Sequence, residues 1–382
     1  MSNVYIGVVT FLVAASALGL AYLMLALLRT VAFASRSIPT IDDEFAPSVT
    51  VLKPIAGVES GLYEYLASFC NQDYPNYEIV FCLHDEDDPA VPIVRRVLED
   101  FRGTKIRVAV GHNDAMANPK IANLAKPGAE PHGEIVVIAD SDVLVTPDYL
   151  RTVAAEFATE TTGATTCLYG AILNESFVSE LGALHVEDEF LPSVLVALAL
   201  GPLRFCMGAT MAVRRDVLEQ IGGLEALGPY LADDHELGEL VTKTGRTVTL
   251  CPYTVKTAIP ETHFADLWSH ELRWGRTKRA QAPAGYAFSF VMYAVPLAFV
   301  LLLLAPGWPS FTLFLYAALL RWFVHRASRG ALHTTRTSRW WLLPVRDVMS
   351  LAVWLVSMFG RAVKWREAKS HVTPDGRMTP NA

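Results

Sequence analysis

No Cys-x-x-Cys pair occurs in the 382 residues, and the five cysteines (Cys70, Cys82, Cys167, Cys206, Cys251) are odd in number and widely scattered. That pattern argues against a disulfide framework or a thiolate zinc site and fits reduced thiols in the cytosol. Charge is sparse as well: Asp, Glu, Lys and Arg make up 19% of the chain, and the formal net charge is -7. Without a basic surplus there is no footprint for a polyanion, so nucleic acid is not an expected partner. Also missing are a Ser-His-Asp nucleophile motif, a Walker loop, a Gly-x-Gly-x-x-Gly turn, internal repeats and low-complexity tracts. What is abundant is apolar surface. Hydrophobic residues reach 52%, which points to a membrane component.

Residues 4–28 are uncharged throughout, long enough to cross a bilayer with some tilt. A cleaved signal peptide fits poorly, because no basic n-region precedes the run and the run is too long for an h-region. Arg29 and Arg36 follow it, so the positive-inside rule places the next domain in the cytoplasm. Residues 286–304 read as a second span. Residues 311–324, carrying Arg321, read as a third, and Arg326, Arg329, Arg336 and Arg339 return the chain to the cytoplasm. Residues 340–359 are interrupted by Arg346 and Asp347 and read as part interfacial helix, part re-entrant or short spanning segment.

Between these runs, from about Pro47, apolar strand-like stretches alternate with helical ones. The pattern predicts strands near 49–52, 77–83, 106–110 and 135–138, with helices between them, hence a mainly parallel α/β sheet. A further helix near 147–157, strands near 165–169 and 209–213, and a helix over 233–244 follow. The wholly apolar stretch 190–200 is short for a span and reads as a buried or interfacial helix.

Four polar clusters fall near predicted strand ends or helix starts. His84-Asp85-Glu86-Asp87-Asp88 is either a solvated loop or supplies one carboxylate to a nucleobase or ribose. Asp140-x-Asp142 ends a buried strand, where two carboxylates call for a cation or donors. It suits Mg²⁺ or Mn²⁺ with substrate phosphates, or else it caps the following helix. Asp233-Asp234-His235-Glu236 complements a helix dipole or holds a general base. His270-x-x-Arg273-Trp274 is an interfacial anchor, or an Arg clamp for a diphosphate beside a flat apolar wall.

Taken in order, with one apolar span before them and several after, these clusters resemble glycosyltransferase family 21, which contains ceramide glucosyltransferases and the lipid glycosyltransferases of hopanoid biosynthesis. The resemblance covers about residues 51–283. It rests also on Val51-Leu52-Lys53-Pro54-Ile55-Ala56-Gly57, Asp73-Tyr74-Pro75, Asn118-Pro119-Lys120-Ile121-Ala122-Asn123-Leu124, and Arg215-Asp216-Val217-Leu218 with Gly222-Gly223. It implies a GT-A-type α/β nucleotide-sugar transferase domain with transmembrane helices, one N-terminal and two or more C-terminal. The expected divisions are a span over 1–29, a cytosolic domain over 47–283, membrane or interfacial helices over 284–362, and a cytosolic tail over 363–382. The stretches at 190–197 and 205–210 look closer to the hopanoid branch, and a bacterial-type inner membrane is the implied setting.

By that resemblance Asp85 and Lys120 contact the nucleotide, and Asp140 lies near the donor. Asp142, with Asp140, holds the metal, and Asp234 is the catalytic base. His270, Arg273 and Trp274 occupy the family's (Gln/Arg)-x-x-Arg-Trp motif, with His270 standing where Gln or Arg is usual. The implied activity is inverting transfer of one sugar, glucose or N-acetylglucosamine, from a UDP-sugar to the hydroxyl of a membrane lipid, ceramide or a hopanoid. A processive polysaccharide synthase of the same core and a non-catalytic membrane scaffold are the alternatives.

Overall fold

The computed structural model describes residues 3–36, 45–337, 339–359, 362–365, 368–373 and 376–380. The chain divides into two units. One joins residues 37–172, 202–260 and 376–382 around a sheet, and the other joins 1–36, 173–201 and 261–375 in helices.

The sheet unit holds β1 (Val49–Ile55), β2 (Tyr77–Leu83), β3 (Ile106–Val110), β4 (Ile135–Ala139), β5 (Val143–Leu144), β6 (Thr162–Leu173), β7 (Thr210–Arg214) and β8 (Thr247–Ile259). They form one sheet in the order β3-β2-β1-β4-β7-β6-β8-β5. The central strands are apolar along their length because both faces are covered. Val51, Leu52, Ile79, Val80, Phe81, Val136, Val137 and Ile138 are all fully buried. Helices Leu62–Cys70 and Val91–Asp100 supply Leu66, Phe69, Val94 and Val97 to the core on one side.

The expectation of a mainly parallel sheet needs correction. β3, β2, β1 and β4 are parallel, but β4 pairs antiparallel with β7, β7 with β6, and β5 with β8. The reversal matters for the site. Register pairs Ile55 with Leu83 and Leu52 with Ile138, so β1, β2 and β4 end along a common edge. The loops carrying Asp85 and Asp140 leave from that edge, the usual ligand side of such sheets.

In the helical unit the 32-residue helix Asn3–Ala34 packs on Ala294–Leu304 and Trp308–Ala331. Small residues line these contacts, as expected where helices associate in lipid. A Cβ on Gly19 would fall 2.6 Å from the Ala294 Cβ and 2.9 Å from the Val291 carbonyl, so only glycine permits this approach. Leu23, Ala26, Val196, Ala298, Ala317 and Val324 fill the interface.

Among the described residues, three helical stretches are long and apolar enough to cross a membrane: Asn3–Ala34, Pro283–Leu304 and Trp340–Ser357. The stretch read as a span at 311–324 is helical. It lies in a 24-residue helix, Trp308–Ala331, that is not among the three, while the segment read as partly interfacial is. The charges that obscured this reading are buried in pairs. Arg321 Nε donates to Asp347 Oδ1 at 2.9 Å, and His325 Nδ1 lies 2.6 Å from Asp188 Oδ2. Asp188 sits on a single π-helical turn, Val186–Phe190, which also carries Glu187 and Glu189. Near the C-terminus, Ala362–Trp365 pairs antiparallel with Ala368–Val372.

Candidate active site

The site in the sheet unit is built on the turn that follows β4. Asp140 and Asp142 lie between β4 and the short β5, so the pair does not cap a helix. The next helix, Tyr149–Ala155, starts after Asp148, which makes no side-chain cap bond. The Asp140 amide donates to the Ala209 carbonyl, which ties the turn to the segment entering β7. Thr257 Oγ1 donates to Asp142 Oδ2 at 2.7 Å from β8.

Lys53, in the middle of the buried sheet, reaches this turn from below. Its ammonium donates to the Asp140 carbonyl oxygen at 2.5 Å and lies 3.9 Å over the Phe69 ring. Burial lowers its pKa to about 7, against the pull of Asp142 and Asp140. No local pattern singles out Lys53, since a lysine near a strand end usually reaches solvent. Here it is completely buried.

Lys120 is the hub of the cluster. Its Nζ lies 2.7 Å from Asp140 Oδ1 and 3.4 Å from Asp233 Oδ2, and it donates to the Gly208 carbonyl at 3.2 Å. Burial works against its charge, but Asp140 and Asp233 outweigh burial and hold the pKa above the ordinary lysine value. Asn118 aims it. Its side chain caps the short helix Pro119–Leu124 by accepting from the Lys120 and Ile121 amides. The same side chain donates to the Tyr230 carbonyl at 2.8 Å and to Asp233 Oδ1 at 3.3 Å. The rest of that motif is architectural: buried Asn123 donates to the Ile55 and Cys82 carbonyls, locking the helix under β1 and β2.

Asp234 opens the helix Asp233–Lys243 and accepts from the His235 amide at 2.8 Å. Gly208 leaves room for it, because a Cβ there would lie 3.2 Å from Asp234 Oδ2. Burial raises the Asp234 pKa to about 6, reinforced by Asp233 and opposed by Lys120. Asp140 is likewise raised to about 6, by burial and then by Asp142, with Lys120 opposing. Tyr169, on β6, faces the fields of Asp234, Asp140 and Asp142. Burial and those charges hold its phenol protonated, so it remains a donor. Tyr169 is an addition to the residues read from sequence, and Asp233, read there as part of an acidic helix start, gains Lys120 as a partner.

Among the described residues no group of three or more His, Cys, Asp or Glu side chains forms a ready metal cage. Mg²⁺ and Mn²⁺ do not need one, since one or two carboxylates plus substrate phosphates and waters suffice. The surplus of negative charge around Asp140 fits a divalent cation held by Asp142 and Asp140.

Asp85 shares the sheet edge but is exposed, and its Oδ1 accepts from the Asp87 amide in a local turn. The structural member of that acidic run is Asp88. It is buried and accepts from the Gly57 and Ala90 amides.

His270, Arg273 and Trp274 belong to the helical unit, on Phe264–Gln281. His270 Nδ1 pairs with Glu261 Oε1, and its ring lies 4.2 Å from that of Trp274. His185 stacks on Trp274 at 5.6 Å. Burial lowers the Arg273 pKa, with Glu261 opposing.

The family model described as Glycosyl transferase family 21 matches residues 9–378. Ceramide glucosyltransferase 1 of Caenorhabditis elegans is 26% identical over 204 residues, covering 53% of this chain and 44% of that protein. A ceramide glucosyltransferase of Gibberella zeae is 35% identical over 124 residues, covering 29% of this chain and 24% of its own length. The chain thus spans under half the length of these relatives. Among solved structures, a mannosyltransferase from Pyrobaculum calidifontis in complex with GDP-Man and Mn2+ matches with a TM-score of 0.59 at 18% identity. The match covers 92% of this chain and 99% of that one. This likeness is one of fold, and the fold is GT-A-type.

Proposed function

The chain belongs to glycosyl transferase family 21, and from that premise we propose that it moves one sugar from a UDP-sugar to the hydroxyl of a membrane lipid, ceramide or a hopanoid, with inversion. The observation that carries this reading is the position of Lys120, which links Asp140 on the donor side to Asp233 beside Asp234. One cation therefore draws into a single cluster the groups that two substrates would need.

In this reading Asp85 and Lys120 orient the nucleotide. Asp142 and Asp140 hold Mg²⁺ or Mn²⁺, which when bound offsets charge on the diphosphate leaving group. Arg273 supports the same charge, and Trp274 gives the sugar or lipid a flat wall. Asp234 accepts the proton of the acceptor hydroxyl as its oxygen attacks the anomeric carbon, and the bond to UDP breaks on the opposite face. An α-linked donor yields a β-linked lipid. A pKa near 6 suits this task, because the carboxylate is ionised at neutral pH yet more basic than an exposed aspartate. The ceramide glucosyltransferases among its relatives support a lipid acceptor, and the three membrane-suited stretches agree with it.

The test is incubation of membranes containing the protein with UDP-glucose or UDP-N-acetylglucosamine and either ceramide or a hopanoid, followed by mass spectrometry of the lipids. A lipid heavier by one sugar supports the reading. A polymer, or no glycolipid with any pairing, contradicts it.

A further inference from the structure

Among the described residues Arg346 is the largest fully buried side chain, and it lies within a stretch suited to crossing a membrane. A guanidinium there needs a reason, since intramembrane charges are costly. It clamps Glu271 with two bonds, Nη1 to Oε1 and Nη2 to Oε2, both 2.7 Å. Glu271 is itself only 2% exposed. Further bonds fix the rotation of Arg346: Nε donates to Ser350 Oγ at 2.9 Å, and Nη1 also reaches the Leu181 carbonyl at 3.3 Å. Such a fork sets orientation as well as attraction.

Glu271 lies on Phe264–Gln281, between His270 and Arg273. One turn on, Gly275 shows how closely that helix meets Leu343–Ser357. A Cβ at Gly275 would fall 2.7 Å from the Tyr286 hydroxyl and 3.1 Å from the Ser357 Cβ. Trp354 Nε1 donates to the Tyr286 carbonyl at 2.8 Å, and Tyr286 and Ser357 hydroxyls meet at 2.5 Å. Glu271 and Gly275 stand one helical turn apart, so they present one face to Leu343–Ser357. Arg273, two residues on from Glu271, faces the opposite side of the helix, and Trp274 and His270 lie between the two faces, so a turn of the helix moves all three.

We propose that Arg346 and Glu271 are positioning residues for sugar transfer: the clamp sets the rotation of helix Phe264–Gln281 and thereby the aim of Arg273 and Trp274. The membrane-suited stretch Trp340–Ser357 then orients the helix that carries Arg273. This rests on the donor role given to Arg273 above.

The test uses the full chain in lipid nanodiscs with Glu271→Leu. That variant spares Arg346 a second carboxylate, Glu189, whose Oε1 is 3.2 Å from Arg346 Nε. Spin labels are placed at Ser269→Cys and Val348→Cys, both exposed; the native cysteines are free and buried. Glu271→Leu should broaden the label-to-label distance distribution and raise the KM for the UDP-sugar about tenfold, while the lipid KM stays put. Adding Arg273→Lys should then cost much less than Arg273→Lys alone. A merely structural role would lower the amount of active enzyme, leave both KM values unchanged and give additive effects.

An unchanged distance distribution overturns the proposal. So does a broadened one with unchanged donor KM, if Arg273→Lys alone raises that KM. Should Arg273→Lys leave donor KM unaltered, the donor role of Arg273 fails, and the distance distribution alone decides the clamp.

Discussion

Thr257 Oγ1 lies 2.7 Å from Asp142 Oδ2, so one oxygen of the second strand-end carboxylate is already tied to β8. The other oxygen is the one such a restraint would aim at a cation. Thr257→Val should therefore raise the metal concentration for half-maximal activity about tenfold, the worth of one hydrogen bond to a charged group. Asp142→Asn should raise it further. A metal titration unaltered in both variants would remove Asp142 from the metal site.

The acid limb of the pH profile belongs to Asp234 when metal is saturating, because Asp140 is then engaged. The sign follows from the raised pKa. Asp234 must be ionised to accept a proton, so the turnover rate should be flat above pH 6 and fall about tenfold per unit below it. An inflection near pH 4, the ordinary aspartate range, would show that burial does not govern this group.

Lys120→Met removes the cation that opposes the raised pKa values of Asp140 and Asp234. Both carboxylates should become harder to ionise, and the acid limb should move to higher pH. Folding stability should drop by about 3–5 kcal/mol, since the buried partner charges are left uncompensated. A limb that moves down, or stability within error of the parent, would contradict the place given to Lys120.

Much of this arrangement was legible in the sequence. The parallel half of the sheet shows as short apolar runs, because strands buried on both faces have little room for polar residues. The antiparallel half was harder to see. β6 is 12 residues long with its first seven buried in a row, and β8 is 13 residues long with an alternation that slips twice, so neither carries a clean period of two. Within the site, Asp140 stands out because a strand ends at it. Lys53 does not, because only the sheet packing brings it beneath the turn. Asp233 reads as a complement to the helix dipole until Lys120 is seen opposite it. In the helical unit, Arg321, Arg346 and Asp347 interrupt apolar runs in the sequence, yet Arg321 and Arg346 answer Asp188 and Glu271, far away in sequence, and Asp347 answers Arg321.

We propose that the donor and base clusters form one site with separable duties. The most direct test is Asp234→Asn, measured for metal-dependent UDP-sugar binding and for single-turnover transfer to lipid in the same preparation. Donor affinity should stay within about twofold of the parent, and transfer should slow by roughly 10²–10⁴, the worth of a general base. Unchanged transfer would contradict the proposal, and so would loss of donor binding in step with transfer.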